Sequence, residues 1–293
     1  MAESASPSVA VVVPTFDRAH VLGRALASVA EQESAVAEVV VVDDGSTDDT
    51  LAVIDEWAPQ LPLRYLYQEN AGPSAARNVG VATCRSRWIC FLDSDDEWAR
   101  AKLTLQLEAS SERPEILVWH SDETWIRRGN QVLQRERHRK RGGHIYRDCL
   151  PLCVISPSAV MLDRETFLAA GGFDEALPVC EDYDLWLRLC RDHEVGFVDE
   201  PLVRKHGGHA DQLSRKLPAM DRFRVRALEK ALVSGTLDAG DWGATRAMTL
   251  EKLEILRSGA LKRGLTEEAE AYEAKLAHWH RAEGPAASGS EAP

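Results

Sequence analysis

The sequence predicts an α/β fold: an open, mostly parallel, Rossmann-like sheet in a three-layer α/β/α sandwich, followed by a helical extension. Three observations lead there. Short β-branched runs alternate with stretches of helical apolar spacing through the first half of the chain. The runs are apolar throughout rather than at every second residue, as in strands buried on both faces. Beyond residue 218 the apolar residues recur only at helical spacing. Alternating strands and helices imply right-handed β-α-β units, and hence a parallel sheet covered on both sides.

Taken in order, residues 8–14 form the first strand, ending at Pro14. A helix follows, with Leu22, Leu26 and Val29 on one stripe. Residues 38–43 are the second strand. Gly45-Ser46-Thr47-Asp48-Asp49 then supplies a turn, a capping hydroxyl and first-turn acids for a helix carrying Leu51, Ile54 and Ala58. Residues 63–67 and 87–92 are the third and fourth strands, separated by a helix opening at Gly72-Pro73-Ser74. Residues 99–109 read as helix. Past residue 112 the pattern loosens into short strands at 115–120, 123–126 and 158–162, a polar loop or hairpin at 127–143, a helix at 181–191 and a late strand at 195–198. Residues 218–281 read as helices with stripes such as Leu250, Leu253 and Leu256. The expected organisation is a flexible start at 1–7, the α/β domain at 8–215, a helical extension at 216–283 and a disordered Ala-, Ser-, Gly- and Pro-rich tail at 284–293.

Bulk properties restrict the function. At 293 residues the chain has room for one large domain plus an extension. A net charge of −12 argues against non-specific nucleic-acid binding, which needs Lys and Arg to neutralise phosphates. It leaves room for an anionic small molecule, because a bound metal or a local basic patch overrides the overall charge. The longest apolar runs are too short to span a bilayer, and no secretory signal precedes the first strand. Six cysteines without a Cys-x-x-Cys pair read as reduced thiols, so a cytoplasmic location is expected.

Ligands of open α/β sheets bind beyond the carboxyl ends of the strands. That rule marks residues 14–17, 43–46 and 93–96, and two of these three turns are acidic. Carboxylates suit Mg²⁺ or Mn²⁺, which take one or two of them and complete their shell with phosphate and water. Asp93, Asp95 and Asp96 meet that need, although a solvated turn capping the next helix would also be acidic. Asp43 and Asp44 can accept hydrogen bonds from a base N–H or a ribose hydroxyl.

Six motifs in order carry a resemblance: Val-Val-Val-Pro-Thr-Phe-Asp-Arg (11–18), Val-Val-Asp-Asp-Gly-Ser-Thr-Asp-Asp-Thr (41–50), Asn-Ala-Gly-Pro-Ser-Ala-Ala-Arg-Asn (70–78), Phe-Leu-Asp-Ser-Asp-Asp-Glu-Trp (91–98), Gly-Gly-Phe-Asp-Glu (171–175) and Glu-Asp-Tyr-Asp-Leu-Trp-Leu-Arg (181–188). Over residues 9–209 the chain resembles family 2 of the glycosyltransferases, which have the GT-A fold. The resemblance implies an inverting transfer of sugar from a nucleotide-sugar donor, a UDP-sugar by preference, to a glycan or lipid-linked acceptor. It places Pro14 and Thr15 along the base, Asp44 on the base, Arg77 and Asn78 near the nucleotide, and Asp93 on the ribose. Asp95 would ligate a divalent metal (Mn²⁺ or Mg²⁺), Asp96 would support it, and His209 or His206 would complete the shell. Asp182 would be the catalytic base at a helix start, with Glu181 and Asp184 as acidic neighbours. Separately, residues 127–147 hold eight Lys or Arg, including Arg137, Arg139, Lys140 and Arg141. That run is a candidate contact for a phosphate-bearing acceptor, an anionic polymer or the inner membrane surface.

Overall fold

A computed structural model describes residues 8–133, 138–208 and 219–285. Strands β1 (Val9–Thr15), β2 (Glu38–Asp43), β3 (Leu63–Tyr67) and β4 (Trp88–Phe91) alternate with helices α1 (Ala19–Ala30), α2 (Thr50–Trp57) and α3 (Pro73–Thr83). The sheet runs in the order β3-β2-β1-β4-β8-β6-β9-β5, where β5 is Glu97–Trp98, β6 Val118–Arg127, β8 Met161–Asp163 and β9 Val195–Gly207. β7 (Asn130–Val132) pairs with β6 alone. The first four strands are parallel, as are β6 and β9, while β8 joins the two halves antiparallel to both β4 and β6.

The apolar runs are explained by burial on both faces of the sheet. Val9, Val11 and Val13 pack with Leu22 and Leu26 of α1 and with Leu103 of α4 (Lys102–Glu112). Ala10 and Val12 face the other way, towards Ala76 and Val81 of α3 and Trp186 of α7 (Glu181–Asp192). Successive side chains alternate between two cores, so every position must be apolar. α3 lies unusually close to β1: a Cβ on Gly80 would stand 2.4 Å from Val12 Cγ1. This close approach fixes where the start of α3 emerges at the strand ends.

The second half of the α/β body departs from the expected elements. The two short strands at 115–126 are one strand, β6, and the late strand does not stop at 198 but continues as β9 to Gly207. The two pair from Val118↔Val195 to Arg127↔Gly207, with register shifts beside Asp122. The bulge absorbs polar residues that the pattern had assigned to loops. The strand expected at 158–162 is a short 3₁₀ turn followed by β8, and Leu51 of α2 is exposed rather than buried. α5 (Tyr146–Cys149) and α6 (Arg164–Ala169) are short connectors.

Three helices, α8 (Asp221–Val233), α9 (Ala239–Lys262) and α10 (Thr266–Arg281), follow the sheet. They enclose a small core of Val225, Leu232, Leu253, Leu256, Leu276 and Trp279. α8 also contributes Phe223, Ala227 and Leu228 to the core under the sheet. Lys252 Nζ donates to the Pro151 carbonyl at 2.9 Å, a further tie between the helices and the α/β body. Among the described residues, no helix is long and apolar enough to cross a membrane.

Candidate active site

The loops that leave β1 and β2 are tied together. Ser46 Oγ accepts from the Asp17 N–H at 2.9 Å, and Asp17 Oδ1 accepts from the Thr47 N–H at 2.7 Å. Asp48 accepts from the Ala19 N–H at the start of α1. Asp43 accepts from the Ser46 N–H and the Tyr65 hydroxyl. Burial, then the Asp43 charge, pushes the Tyr65 phenol up to about 12. Asp44 is 4% exposed and accepts from the N–H groups of Ala71 and Gly72, both at 2.8 Å, and from Gln68 Nε2 at 2.6 Å. Three of its roughly four lone-pair sites therefore hold the turn before α3, leaving one for a ligand. Gly45 permits this turn: its φ is +89°, and a Cβ there would sit 3.0 Å from the Asn70 nitrogen. Thr15 Oγ1 and Ser74 Oγ are buried nearby without a hydrogen-bond partner among the described residues. Phe16 and Tyr67 are exposed at the same strand ends.

The acids after β4 fall into two groups. Asp93 and Asp95 keep 26% and 20% of their side chains exposed. Asp96 is 2% exposed, with one oxygen accepting from Ser158 Oγ at 2.7 Å and the other from the His206 N–H at 3.0 Å. Burial raises its carboxyl well above the usual range, against the pull of Lys205. Each of its oxygens thus has one fixed donor, which joins β9 and residue 158 to the turn and leaves this carboxylate deeper than those of Asp93 and Asp95. His206 is likewise not a loop histidine. It lies in β9, and its Nε2 meets Glu97 Oε1 at 2.7 Å. His209 lies outside the described residues.

Arg77 joins this turn to α7. Its guanidinium reaches Asp93 Oδ1 at 2.7 Å and Glu181 Oε1 at 2.8 Å while 5% exposed. Burial, then the Asp182 charge, pushes Glu181 up to about 7 against the stabilising pull of Arg77. Asp182, the next residue, stands in the first turn of α7, where the partial positive charge of the helix end favours a carboxylate. Its Oδ2 accepts from Cys153 Sγ at 3.2 Å. Against burial, the charges of Glu123 first, then Asp96, Asp93 and Asp182, hold the Lys205 ammonium above its ordinary range. Asp184, by contrast, is 2% exposed and committed to Arg188 and Lys230. Asn78 is turned elsewhere: its amide clamps the N–H and C=O of Phe173 and meets Glu175. A recess of about 490 Å³ on that side, lined by Asn78, Phe173, Glu175 and Lys230 among others, contains none of the strand-end acids.

The sequence profile of glycosyl transferase family 2 matches residues 10–167, more than half of the chain. The chain belongs to that family. An uncharacterised glycosyltransferase of Rickettsia felis is 29% identical over 202 residues, 68% of this chain and 33% of that protein. The putative teichuronic acid biosynthesis glycosyltransferase TuaG of Bacillus subtilis is 31% identical over 162 residues, 54% of this chain and 63% of TuaG. The chain therefore spans a third of the first relative and under two thirds of the second. S. aureus TarS 1-349 with UDP-GlcNAc has a similar structure, with a TM-score of 0.69, 21% identity, and coverage of 84% of this chain and 71% of that one. So does the mannosyltransferase PcManGT of Pyrobaculum calidifontis with GDP-Man and Mn²⁺, at a TM-score of 0.63, 17% identity, and coverage of 94% and 85%. The sheet and helices of this family 2 chain are those of the GT-A fold.

Among the described residues, no three His, Cys, Asp or Glu side chains converge as a metal cage. That donor set fits an ion that takes one or two protein carboxylates and completes its shell with phosphate and water. Asp93, paired with Arg77, and Asp95, 3.8 Å from Arg18, are the partly exposed carboxylates of the turn after β4.

The basic segment of this family 2 chain is smaller as a surface than its sequence implied. Lys140 is buried against Glu123 at 2.9 Å, because a carboxylate buried at that depth needs a counter-charge. Arg141 pairs with Asp148, Arg139 is exposed, and Arg137 lies outside the described residues. Sequence reasoning missed Lys205 and Cys153. Lys205 sat in a stretch read as loop. The four-residue spacing of Cys149 and Cys153 gave no sign of the approach of Cys153 to Asp182, 29 residues away.

Proposed function

We propose that the protein is an inverting glycosyltransferase. It would move a sugar from a nucleotide diphosphate-sugar, a UDP-sugar in the first instance, to a hydroxyl of a glycan or lipid-linked acceptor. The setting would be cell-surface polysaccharide or glycoconjugate synthesis at the cytoplasmic side. The observation that carries this reading is Arg77, whose fork ties the Asp93 turn to the Glu181-Asp182 start of α7. In this reading the turn that would hold the donor is tied to the residue next to the carboxylate that would accept a proton. TuaG, named for teichuronic acid synthesis, and TarS, solved with UDP-GlcNAc, support the acceptor class and the uridine donor. The complex of PcManGT with GDP-Man makes a guanosine donor the rival to test.

In this reading the nucleotide lies along Pro14, Thr15 and Asp44, with the unpartnered Thr15 hydroxyl and the last acceptor site of Asp44 turned to it. Asp93 faces the ribose, and Arg77 fixes its orientation. Asp95 would hold a divalent cation, Mn²⁺ or Mg²⁺, which when bound would neutralise charge on the departing diphosphate. Asp182 takes the proton of the acceptor hydroxyl as that oxygen bonds to the anomeric carbon and the bond to the diphosphate oxygen breaks. One displacement from the opposite face inverts the anomeric centre, and no second carboxylate nucleophile is required.

Purified protein with a panel of UDP-, GDP- and dTDP-sugars and Mn²⁺ tests the reading. Asp182→Asn should lower transfer by about 10²–10⁴-fold while nucleotide affinity stays nearly unchanged. Loss of nucleotide binding together with transfer would make Asp182 structural. A wild-type protein with neither metal-dependent nucleotide binding nor transfer to any acceptor would overturn the proposal.

A further inference from the structure

Cys153 stands out among the six cysteines. The other five are buried, whereas Cys153 is half-buried, and its sulfur lies 3.2 Å from Asp182 Oδ2. It sits in the segment between α5 and the 3₁₀ turn at Pro157–Ala159, held by a second contact of 3.1 Å to the Ile155 carbonyl. A thiol has one hydrogen and here two acceptors. The ionised carboxylate draws it more strongly than the neutral carbonyl, because hydrogen bonds to charged groups are the stronger ones. The environment also keeps that hydrogen in place. Burial, then the negative charge of Asp182, raises the Cys153 thiol well above its ordinary range. A thiol so held is a poor nucleophile and a constant donor. The other oxygen of Asp182 accepts from the Tyr183 N–H at 2.7 Å. Each carboxylate oxygen thus has one fixed donor and keeps lone pairs for an incoming hydroxyl.

We infer that Cys153 is a positioning residue that fixes the rotation of the Asp182 carboxylate towards the acceptor hydroxyl. This rests on the proposed role of Asp182 as the base. Two effects of the contact oppose one another. A donor to a carboxylate lowers its basicity, which alone would slow proton transfer. Fixing the carboxylate in the attack geometry speeds it, and small misplacements of catalytic groups cost large factors in rate. Orientation is the larger effect here, because S–H is a weak donor that takes little basicity away.

The test uses the full chain. Cys153→Ala should lower kcat about tenfold with donor KM unchanged, since an orientation defect acts on the chemical step rather than on ground-state binding. Cys153→Ser, which restores a donor at that place, should return kcat to within about threefold of wild type. A second measurement needs no activity: iodoacetamide labelling of Cys153 at pH 8.5, read by peptide mass spectrometry. Asp182→Asn removes the charge that holds the thiol protonated, so labelling should speed up by at least about threefold. Wild-type kcat in Cys153→Ala, or a loss that serine does not rescue, overturns the positioning role while leaving the base in place. Unchanged labelling in Asp182→Asn overturns the thiol–carboxylate contact. Full transfer in Asp182→Asn overturns the base itself and the positioning role with it.

Discussion

Arg77→Met is the most informative perturbation of the fold and the site together. Methionine fills much of the arginine stem's volume but leaves Asp93 and Glu181 without the cation that both contact. Removing one partner of a buried pair costs about 3–5 kcal/mol. Asp93 keeps 26% of its side chain exposed, so water screens part of its share, and the expected loss is about 2–4 kcal/mol. The pH dependence carries the sharper test. Glu181 is held up at about 7 with Arg77 present, against an ordinary value of 4.5. Between those values the folded protein holds a proton that the unfolded chain has released. Stability is therefore lost as pH rises from 4.5, and the loss is complete above about 7. Without Arg77 the carboxyl rises further, and the decline continues above pH 7 at up to about 1.4 kcal/mol per unit. Wild type and variant should thus run parallel below pH 7 and diverge above it. Urea unfolding of both at pH 6 and pH 8.5 reads the gap, which should be about 1–2 kcal/mol wider at the higher pH. A gap of equal size at both, or below about 1 kcal/mol throughout, would refute the reasoning about this buried pair.

Other substitutions separate roles within the site. Asp96→Ala orphans the Ser158 hydroxyl and the His206 N–H, and should cost about 2–4 kcal/mol by urea unfolding. Asp95→Ala should change stability by less than about 1 kcal/mol but abolish the enhancement of nucleotide binding by Mn²⁺ in a calorimetric titration. The reverse pattern would exchange the two assignments. His120 lies fully buried between the Arg141 carbonyl and the Phe197 ring, and burial, then the Lys140 charge, lowers it to about 3. It stays neutral in the fold while the unfolded chain binds a proton below its ordinary 6.5, so its contribution is present above 6.5 and lost as pH falls towards 3. His120→Asn should flatten the decline in Tm between pH 7 and pH 4.5, whatever its effect at pH 7, and an unchanged decline would place the acid sensitivity elsewhere.

Strands β1, β2 and β4 were legible to within one or two residues because both of their faces are buried, whereas β3, at the sheet edge, keeps Arg64 and Tyr67 exposed. When every position of a strand must be apolar, the run and the strand coincide. β6 and β9 lacked that signal. Their outer halves carry Asp122, Glu123, Arg204, Lys205 and His206, residues that a pattern reader assigns to loops. Lys140 and Glu123 show the same limit from the other side. Seventeen residues apart in a polar stretch, each reads as a surface charge, yet each is buried through the other.

The strand-end acids show what composition can locate and what only the fold can assign. Asp93, Asp95 and Asp96 occupy one turn and are chemically alike. They differ because the Ser158 hydroxyl and the His206 N–H, 62 and 110 residues away along the chain, donate to the Asp96 carboxylate and not to those of its neighbours. Asp182 and Asp184 are divided in the same way: two residues on, the carboxylate faces Arg188 and Lys230 and joins the packing against α8. The sequence therefore marks acidic stretches at the strand ends, while long-range contacts decide how deeply each member is buried. Arg77 adds a constraint that no local pattern contains. Because one guanidinium serves both Asp93 and Glu181, the turn after β4 and the start of α7 share a single counter-charge. Under the proposed function, an altered charge at the ribose side should be felt at the residue next to the base. Changes in donor binding and in the chemical step are then expected to be coupled wherever Arg77 or its two partners are replaced.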